Sequence, residues 1–456
     1  MQPRMRFDDA AWEASETDSD SWVAGLFQPD TLRAIGDFVI KHRRGVPIEL
    51  CQPRAGTFNV SFRMKFEGRF PEENVKHEVA TMRYIQEHTS IPVPFILHWG
   101  TGEESPLGLG PFILMEYIEH AMDLGEALNT PTLGVDDRPV LDPAVDIGKL
   151  EMLYGQLADI LLQLSRCSLP RIGSLMLVDD FTWEPKHRPL SMAMIELVRL
   201  GTLPRSKLPA TTFETASDYF QALVNLHCEH LYHQRNDTVD SADDCRRRFV
   251  ARRLFSRLAG ERGRLASSRT DHGPFTLWCD DLRPSNILLN ERGQIVGVVD
   301  REFTYAAPVQ FSQAPPWWLL LEQPEYWSDG VEAWERIFES RLKTFLKVLV
   351  EREETALRAG RLNPEQRLSG PMRRSWENGD FWVAYAARKS FAFDMVFWER
   401  LDSRFFGPCA VAVEDRWKER LALLTEQERL CMERVVSRKV EQMKTRELAW
   451  EPDEMP

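Results

Sequence analysis

Leu277-Trp278-Cys279-Asp280-Asp281-Leu282-Arg283-Pro284-Ser285-Asn286-Ile287-Leu288-Leu289 and, a short turn later, Ile295-Val296-Gly297-Val298-Val299-Asp300 decide how this chain is read. The first run sets an aspartate five residues ahead of an asparagine in a tight loop that feeds an apolar strand. The second is another apolar strand, ending on an aspartate fourteen residues beyond that asparagine. A hairpin through Glu291-Arg292-Gly293 returns Asp300 to the side of Asn286. Phosphoryl transfer to a hydroxyl uses such a set: Asp281 to orient the acceptor and take its proton, Asn286 to ligate a cation without adding charge. A hard divalent cation draws oxygen ligands from a pair such as Asn286 and Asp300. Either aspartate alone reads as a turn former or a strand-end cap. Their joint order and spacing favour the chemistry.

Upstream, alternating apolar residues predict a strand over Asn59 to Phe66, with Glu67-Gly68 as a turn. Glu72 to His88 reads as a helix with Val75, Val79, Met82 and Ile85 on one face, ended by Ile91-Pro92-Val93-Pro94. Phe95 to Trp99 and Phe112 to Ile118 read as strands flanking a glycine-rich loop. Leu150 to Ser165 has helical spacing, and helical patterns dominate the rest apart from Ile287 to Leu289 and Ile295 to Val299. Asn236 to Asp244 reads as a loop or insertion. Val411 to Leu448 reads as one charged amphipathic helix ahead of a disordered tail.

With 456 residues, 43% of them hydrophobic, the chain has enough apolar material for one large core or two packed lobes. Its 57 basic and 70 acidic residues give a net charge of −13, which disfavours nucleic acid or an anionic membrane as partner. The acidic first thirty residues fit neither a secretory signal nor a transit peptide. No uncharged apolar run approaches the roughly 18 residues that a membrane span requires. A soluble, cytoplasmic protein is the expectation. Seven cysteines without a Cys-x-x-Cys pair suit reduced thiols rather than a disulfide or zinc framework. His227, His230 and His233, spaced by three, read as a helix face rather than a metal site. Gly148-Lys149 lacks the flanking residues of a phosphate-binding Walker loop. Pro315-Pro316-Trp317-Trp318 reads as core first and as acceptor lining second.

The runs Leu277 to Leu288 and Val298 to Phe303 resemble the His-Gly-Asp-Leu-His-Pro-Gly-Asn and Ile-Asp-Trp-Glu motifs of aminoglycoside phosphotransferases. Gly56-Thr57-Phe58-Asn59, Glu78 to Ile85, Ile91-Pro92-Val93-Pro94, Leu114-Met115-Glu116-Tyr117-Ile118 and Arg171-Ile172-Gly173-Ser174-Leu175 extend the resemblance. The resemblance implies an α+β, protein-kinase-like bilobal fold that uses ATP and Mg²⁺ to phosphorylate a small-molecule acceptor. It implies Asp281 as catalytic base and Asn286 and Asp300 as Mg²⁺ ligands. Glu116 and Ile118 become the hinge that holds adenine by its backbone, Gly56, Thr57 and Asn59 part of the nucleotide site, and Glu78 the anchor of a third-strand cation. Arg283, two residues past the base, stands where protein kinases carry a phosphate-touching lysine. Cys279, Asp280 and Arg301 depart from the family's His, Gly and Trp.

The third strand itself reads as truncated, since only Glu67 to Phe70 separate Phe66 from Pro71, a helix start. Arg69 is the first choice for its cation, Lys65 the second, and a site without one the third; weak ATP binding, on the order of 0.1 to 1 mM, is expected. The predicted organisation is an N-terminal extension (1–44), a small nucleotide-binding lobe (45–118), a helical catalytic and acceptor lobe (119–410) and a C-terminal helix and tail (411–456), in a monomer. Two rival readings are a catalytically silent nucleotide-binding or scaffold protein and a protein kinase. The second ranks lower because no Ala-Pro-Glu-type segment follows Asp300.

Overall fold

The computed structural model describes residues 24–42, 59–60, 64–65, 71–134, 137–200, 202–234 and 239–444. Helix α1 (Pro29–His42) is followed by strands β1 (Asn59–Val60) and β2 (Met64–Lys65) and by α2 (Pro71–His88). The α2 boundaries follow from local chemistry: proline at the first turn, Glu72 and Glu73 against the positive helix end, and His88 at the negative one. The apolar stripe expected of it is buried, with Val75, Val79, Met82 and Ile85 all inside. Strands β3 (Ile96–Gly100) and β4 (Phe112–Met115) complete an antiparallel sheet in the order β1-β2-β4-β3. In it β2 pairs directly with β4, Met64 opposite Phe112. One face of β4 takes α1, whose Ile35 joins Leu26 and Phe112 while the Phe38 ring sits edge-on 5.0 Å from that of Phe112.

The remainder is mixed. β5 (Met122–Asp123), α3 (Leu124–Leu128) and α4 (Ile147–Ser165) precede β6 (Ser168–Leu169) and the hairpin β7 (Ser174–Asp179) and β8 (Thr182–His187). Helices α5 (Met192–Arg199), α6 (Ala216–His233) and α7 (Ala242–Gly260) lead to β9 (Phe275–Cys279), β10 (Ile287–Leu289), β11 (Ile295–Val298) and β12 (Thr304–Ala307). After the short α8 (Val309–Gln313) come α9 (Val331–Arg358), α10 (Ser369–Glu377), α11 (Asp380–Arg388), α12 (Phe393–Val396), α13 (Asp402–Phe406), α14 (Arg416–Arg420) and α15 (Glu426–Gln442). Two three-stranded antiparallel sheets, β11-β10-β5 and β12-β9-β6, lie within this part, and one apolar core runs from Tyr84 to Val436.

Several expectations need correction. The stretch after residue 118 is less uniformly helical than its periodicity suggested, because β7, β9 and β12 are short, largely apolar runs that periodicity cannot tell from buried helix, and the polar β8 pairs with β7 as a hairpin. All four residues of β12 are buried. The strand expected over Phe112 to Ile118 stops at Met115, and Glu116 and Tyr117 are exposed. The loop expected over Asn236 to Asp244 ends early, since Ser241 caps α7 by accepting from the Asp244 N–H. The single C-terminal helix is two, broken where Thr425 forms a capping box with Glu428. The expected tail, like Gly56, Thr57, Arg69 and the third strand, lies outside the described residues, and Asn59 and Lys65 are described by their backbone alone.

Candidate active site

The loop between β9 and β10 presents the acidic residues. Asp280 extends β9, and Leu282 N–H returns to the Cys279 carbonyl. Pro284–Asn286 then makes one 3-10 turn that feeds β10. Asp281 is buried, and the Asn286 side-chain amide donates both to its carbonyl, at 2.8 Å, and to Oδ2, at 3.1 Å. That pair of hydrogen bonds fixes the amide orientation and leaves Asn286 Oδ1 for a cation.

Arg283 Nε lies 3.0 Å from Asp281 Oδ1, an ion pair whose angle is too far off line for a hydrogen bond. Burial pushes the Asp281 carboxyl above the usual carboxylate range, against the pull of Arg283. The neighbouring Asp300 charge adds to the rise, while Asn286 and Lys389 oppose it.

The expected hairpin forms. Ile287 pairs with Val298, and Val299 N–H donates to the Asn286 carbonyl at 2.9 Å, which sets Asp300 beside Asn286. Asp300 itself has φ +54°, a left-handed conformation costly for a side chain bearing a Cβ and concentrated at functional sites. The donor set is thus an amide oxygen and a carboxylate, which fits a hard cation such as Mg²⁺. Among the described residues no group of three or more His, Cys, Asp or Glu side chains could hold a metal. His227 and His230 of α6 are core residues, while the half-buried His233 contacts Glu229: His227 contacts the Ala386 carbonyl at 3.0 Å and stacks on Phe393, and burial pushes its pKa down to about 3.

Asp280 has a different task from Asp281. Trp278 Nε1 donates to its Oδ1 at 2.8 Å, Tyr305 OH and the Met192 N–H approach Oδ2, and the Arg388 guanidinium sits 3.5 Å away. With every lone pair engaged, Asp280 fastens the loop to α5, β12 and α11. Sequence reasoning missed Arg388 and Lys389, which lie more than a hundred residues downstream; an Arg-Lys pair ending the apolar helix α11 was the available signal. Lys389 faces both Asp281 and Glu325 electrostatically, and Tyr385 OH donates to Glu325 at 2.6 Å. A small cavity of about 40 Å³ lined by Asp280, Glu325, Tyr326, Arg388 and Lys389 adjoins the loop. Trp317 and Trp318 line a second, of about 30 Å³, together with Trp278. Trp318 is otherwise core.

The proposed hinge lies against the same hairpin. Glu116 N–H is committed to the Phe95 carbonyl at 2.9 Å, whereas Ile118 N–H has no backbone acceptor among the described residues. The Ile118 side chain covers Gly297, where a Cβ would come within 2.6 Å of its Cδ1. Glu78 is buried on α2 and accepts from the Arg301 N–H at 3.2 Å, tying that helix to the end of the hairpin. Of the two cations expected to pair with it, Arg69 lies outside the described residues and Lys65, on β2, is described by its backbone alone.

No family model and no curated protein matches the sequence. A crystal structure of a presumed aminoglycoside phosphotransferase from Ralstonia eutropha overlays 90% of this chain and 98% of its own, with 11% identity and a TM-score of 0.40. That overlap is too loose to carry weight on fold or function.

Proposed function

We propose that this protein is a phosphotransferase that moves the γ-phosphate of ATP to a hydroxyl of a small molecule. The observation that carries the reading is one loop and hairpin that gather a buried carboxylate, an oriented amide oxygen and a strained aspartate: Asp281, Asn286 and Asp300. In this reading residues 45–118 form the nucleotide-binding lobe and 119–410 the catalytic and acceptor lobe of a kinase-like fold, in a cytoplasmic protein. Adenine meets the Glu116 carbonyl and the Ile118 N–H. Asn286 Oδ1 and the Asp300 carboxylate hold Mg²⁺, which when bound offsets the negative charge of the phosphates.

Asp281 acts as the base. Its Oδ2 is held by Asn286, so Oδ1 takes the acceptor's proton once the Arg283 guanidinium turns to the transferring phosphoryl group. The acceptor enters beside Glu325, Tyr326 and Lys389. The Arg283–Asp281 ion pair also favours a second reading, a silent nucleotide-binding protein whose base stays occupied.

The deciding experiment incubates the protein with ATP, Mg²⁺ and a metabolite extract and follows phosphorylated products by mass spectrometry. A +phosphate product from wild type and none from Asp281→Asn supports the enzyme. Nucleotide binding with no product from either selects the silent reading.

A further inference from the structure

Arg301 is a charged departure from the family motif that the catalytic reading leaves unused. Its side chain is buried to 1% exposure, yet none of its three guanidinium nitrogens has a hydrogen-bond partner among the described residues. A guanidinium is always charged and presents five N–H donors in a fixed fork. Leaving such a group dry and unsatisfied is among the most expensive arrangements a folded chain holds. The environment relieves it little: the weakly polar Cys279 thiol lies against it and Asp300 and Glu78 act on it through space, but no carboxylate among the described residues is close enough to make an ion pair. The Glu78 contact at 3.2 Å goes to its backbone N–H, not to the guanidinium.

Other polar atoms nearby share the condition. Beside the Cys279 thiol, which interacts with it across the β12–β9 ladder, Thr304 has a buried hydroxyl with no oxygen or nitrogen partner among the described residues. So has Thr81, one turn beyond Glu78 on the same face of α2. Helix α2 and the segment from Asp300 to Thr304 therefore carry buried donors that no oxygen acceptor among the described residues satisfies. Asp300, the neighbouring residue, belongs to the pair assigned to the cation that accompanies nucleotide phosphates.

We infer that Arg301 is a phosphate-binding residue of the nucleotide site, its guanidinium fork receiving oxygens of the ATP polyphosphate. The inference rests on the phosphotransferase reading and adds to it a contact that no family motif supplies. A planar fork matches two phosphate oxygens at once, which an ammonium cannot do.

Calorimetry with ATP, ADP and adenosine, each with Mg²⁺, on wild type, Arg301→Met and Arg301→Lys tests it. Arg301→Met should weaken ATP and ADP about ten- to a hundredfold, as loss of a charge-assisted contact requires. Adenosine, which has no phosphate, should bind within about twofold of wild type, and Arg301→Lys should recover part of the ATP affinity. Removing a buried unsatisfied charge leaves Arg301→Met folded, with a Tm at or above wild type. Were it nevertheless to unfold, the ratio of ATP to adenosine affinity in Arg301→Lys would carry the decision. An unchanged ratio in the variants, or ATP binding no tighter than adenosine in wild type, overturns the role of Arg301 alone. Absence of all nucleotide binding in wild type overturns the phosphotransferase reading with it.

Discussion

At the scale of single residues, Asp281 and Asp280 are adjacent carboxylates with opposite fates. Asp280 is engaged by Trp278, Tyr305 and Arg388 and serves as an anchor. Asp281 is buried with fewer partners, and burial raises its pKa. A base works only when deprotonated, so turnover should fall on the acid side at a higher pH than an ordinary aspartate would give. Because the Arg283 charge pulls the Asp281 pKa down, Arg283→Gln should move that acid limb to still higher pH; pH–rate profiles of the two proteins on one substrate check the direction. An acid limb that stays in place in the variant would remove Arg283 from the electrostatics of the base. Asp281→Asn keeps shape and hydrogen bonding but not basicity, so kcat should drop about 10² to 10⁴-fold with ATP affinity nearly unchanged.

Between elements, close approaches explain motifs whose residues carry no chemistry. Gly173 exchanges backbone hydrogen bonds with Ala306 of β12, and a Cβ there would collide with the His187 carbonyl and reach Thr212 Cγ2 at 2.7 Å. Gly173→Ala must displace the end of β8 and should cost about 1–3 kcal/mol, read as a lower urea midpoint. A second device joins α7 to α12: Asp394 accepts from Arg252 at 2.7 Å and Arg248 at 3.1 Å. Burial opposes the Asp394 charge, but the two guanidinium groups prevail and hold its pKa far below the usual range. A depressed carboxylate stabilises the fold above its unfolded pKa, and the contribution is lost as pH falls toward the folded value. Asp394→Ala should therefore destabilise by about 3–5 kcal/mol near neutral pH, since the buried Arg252 loses its carboxylate and Arg248 is left with Asp244 alone. The deficit should shrink in acid, and denaturation midpoints measured across that range test both sign and size.

For the molecule as a whole, nucleotide binding should depend on Mg²⁺, because Asn286 and Asp300 meet only through the folded hairpin. ATP should raise the Tm more with Mg²⁺ than with EDTA, and Asp300→Ala should abolish the difference. An equal response in both proteins would remove Asp300 from the cation site. The sequence by itself determined the parts governed by local rules: α2 from its proline, acidic first turn and apolar stripe, and the β10–β11 hairpin with Asp281, Asn286 and Asp300. These are encoded within a few residues, where spacing and turn chemistry act directly. Tertiary structure alone decided which aspartate is an anchor, because Arg388 and Tyr305 come from distant segments. It likewise decided that β9 and β12 are strands, since buried apolar runs of four or five residues suit either conformation until partners are present. And only the packing of α2 over the hairpin's end left the Arg301 guanidinium buried without an acceptor, because burial is a property of everything that surrounds a residue and not of the residues beside it in the chain.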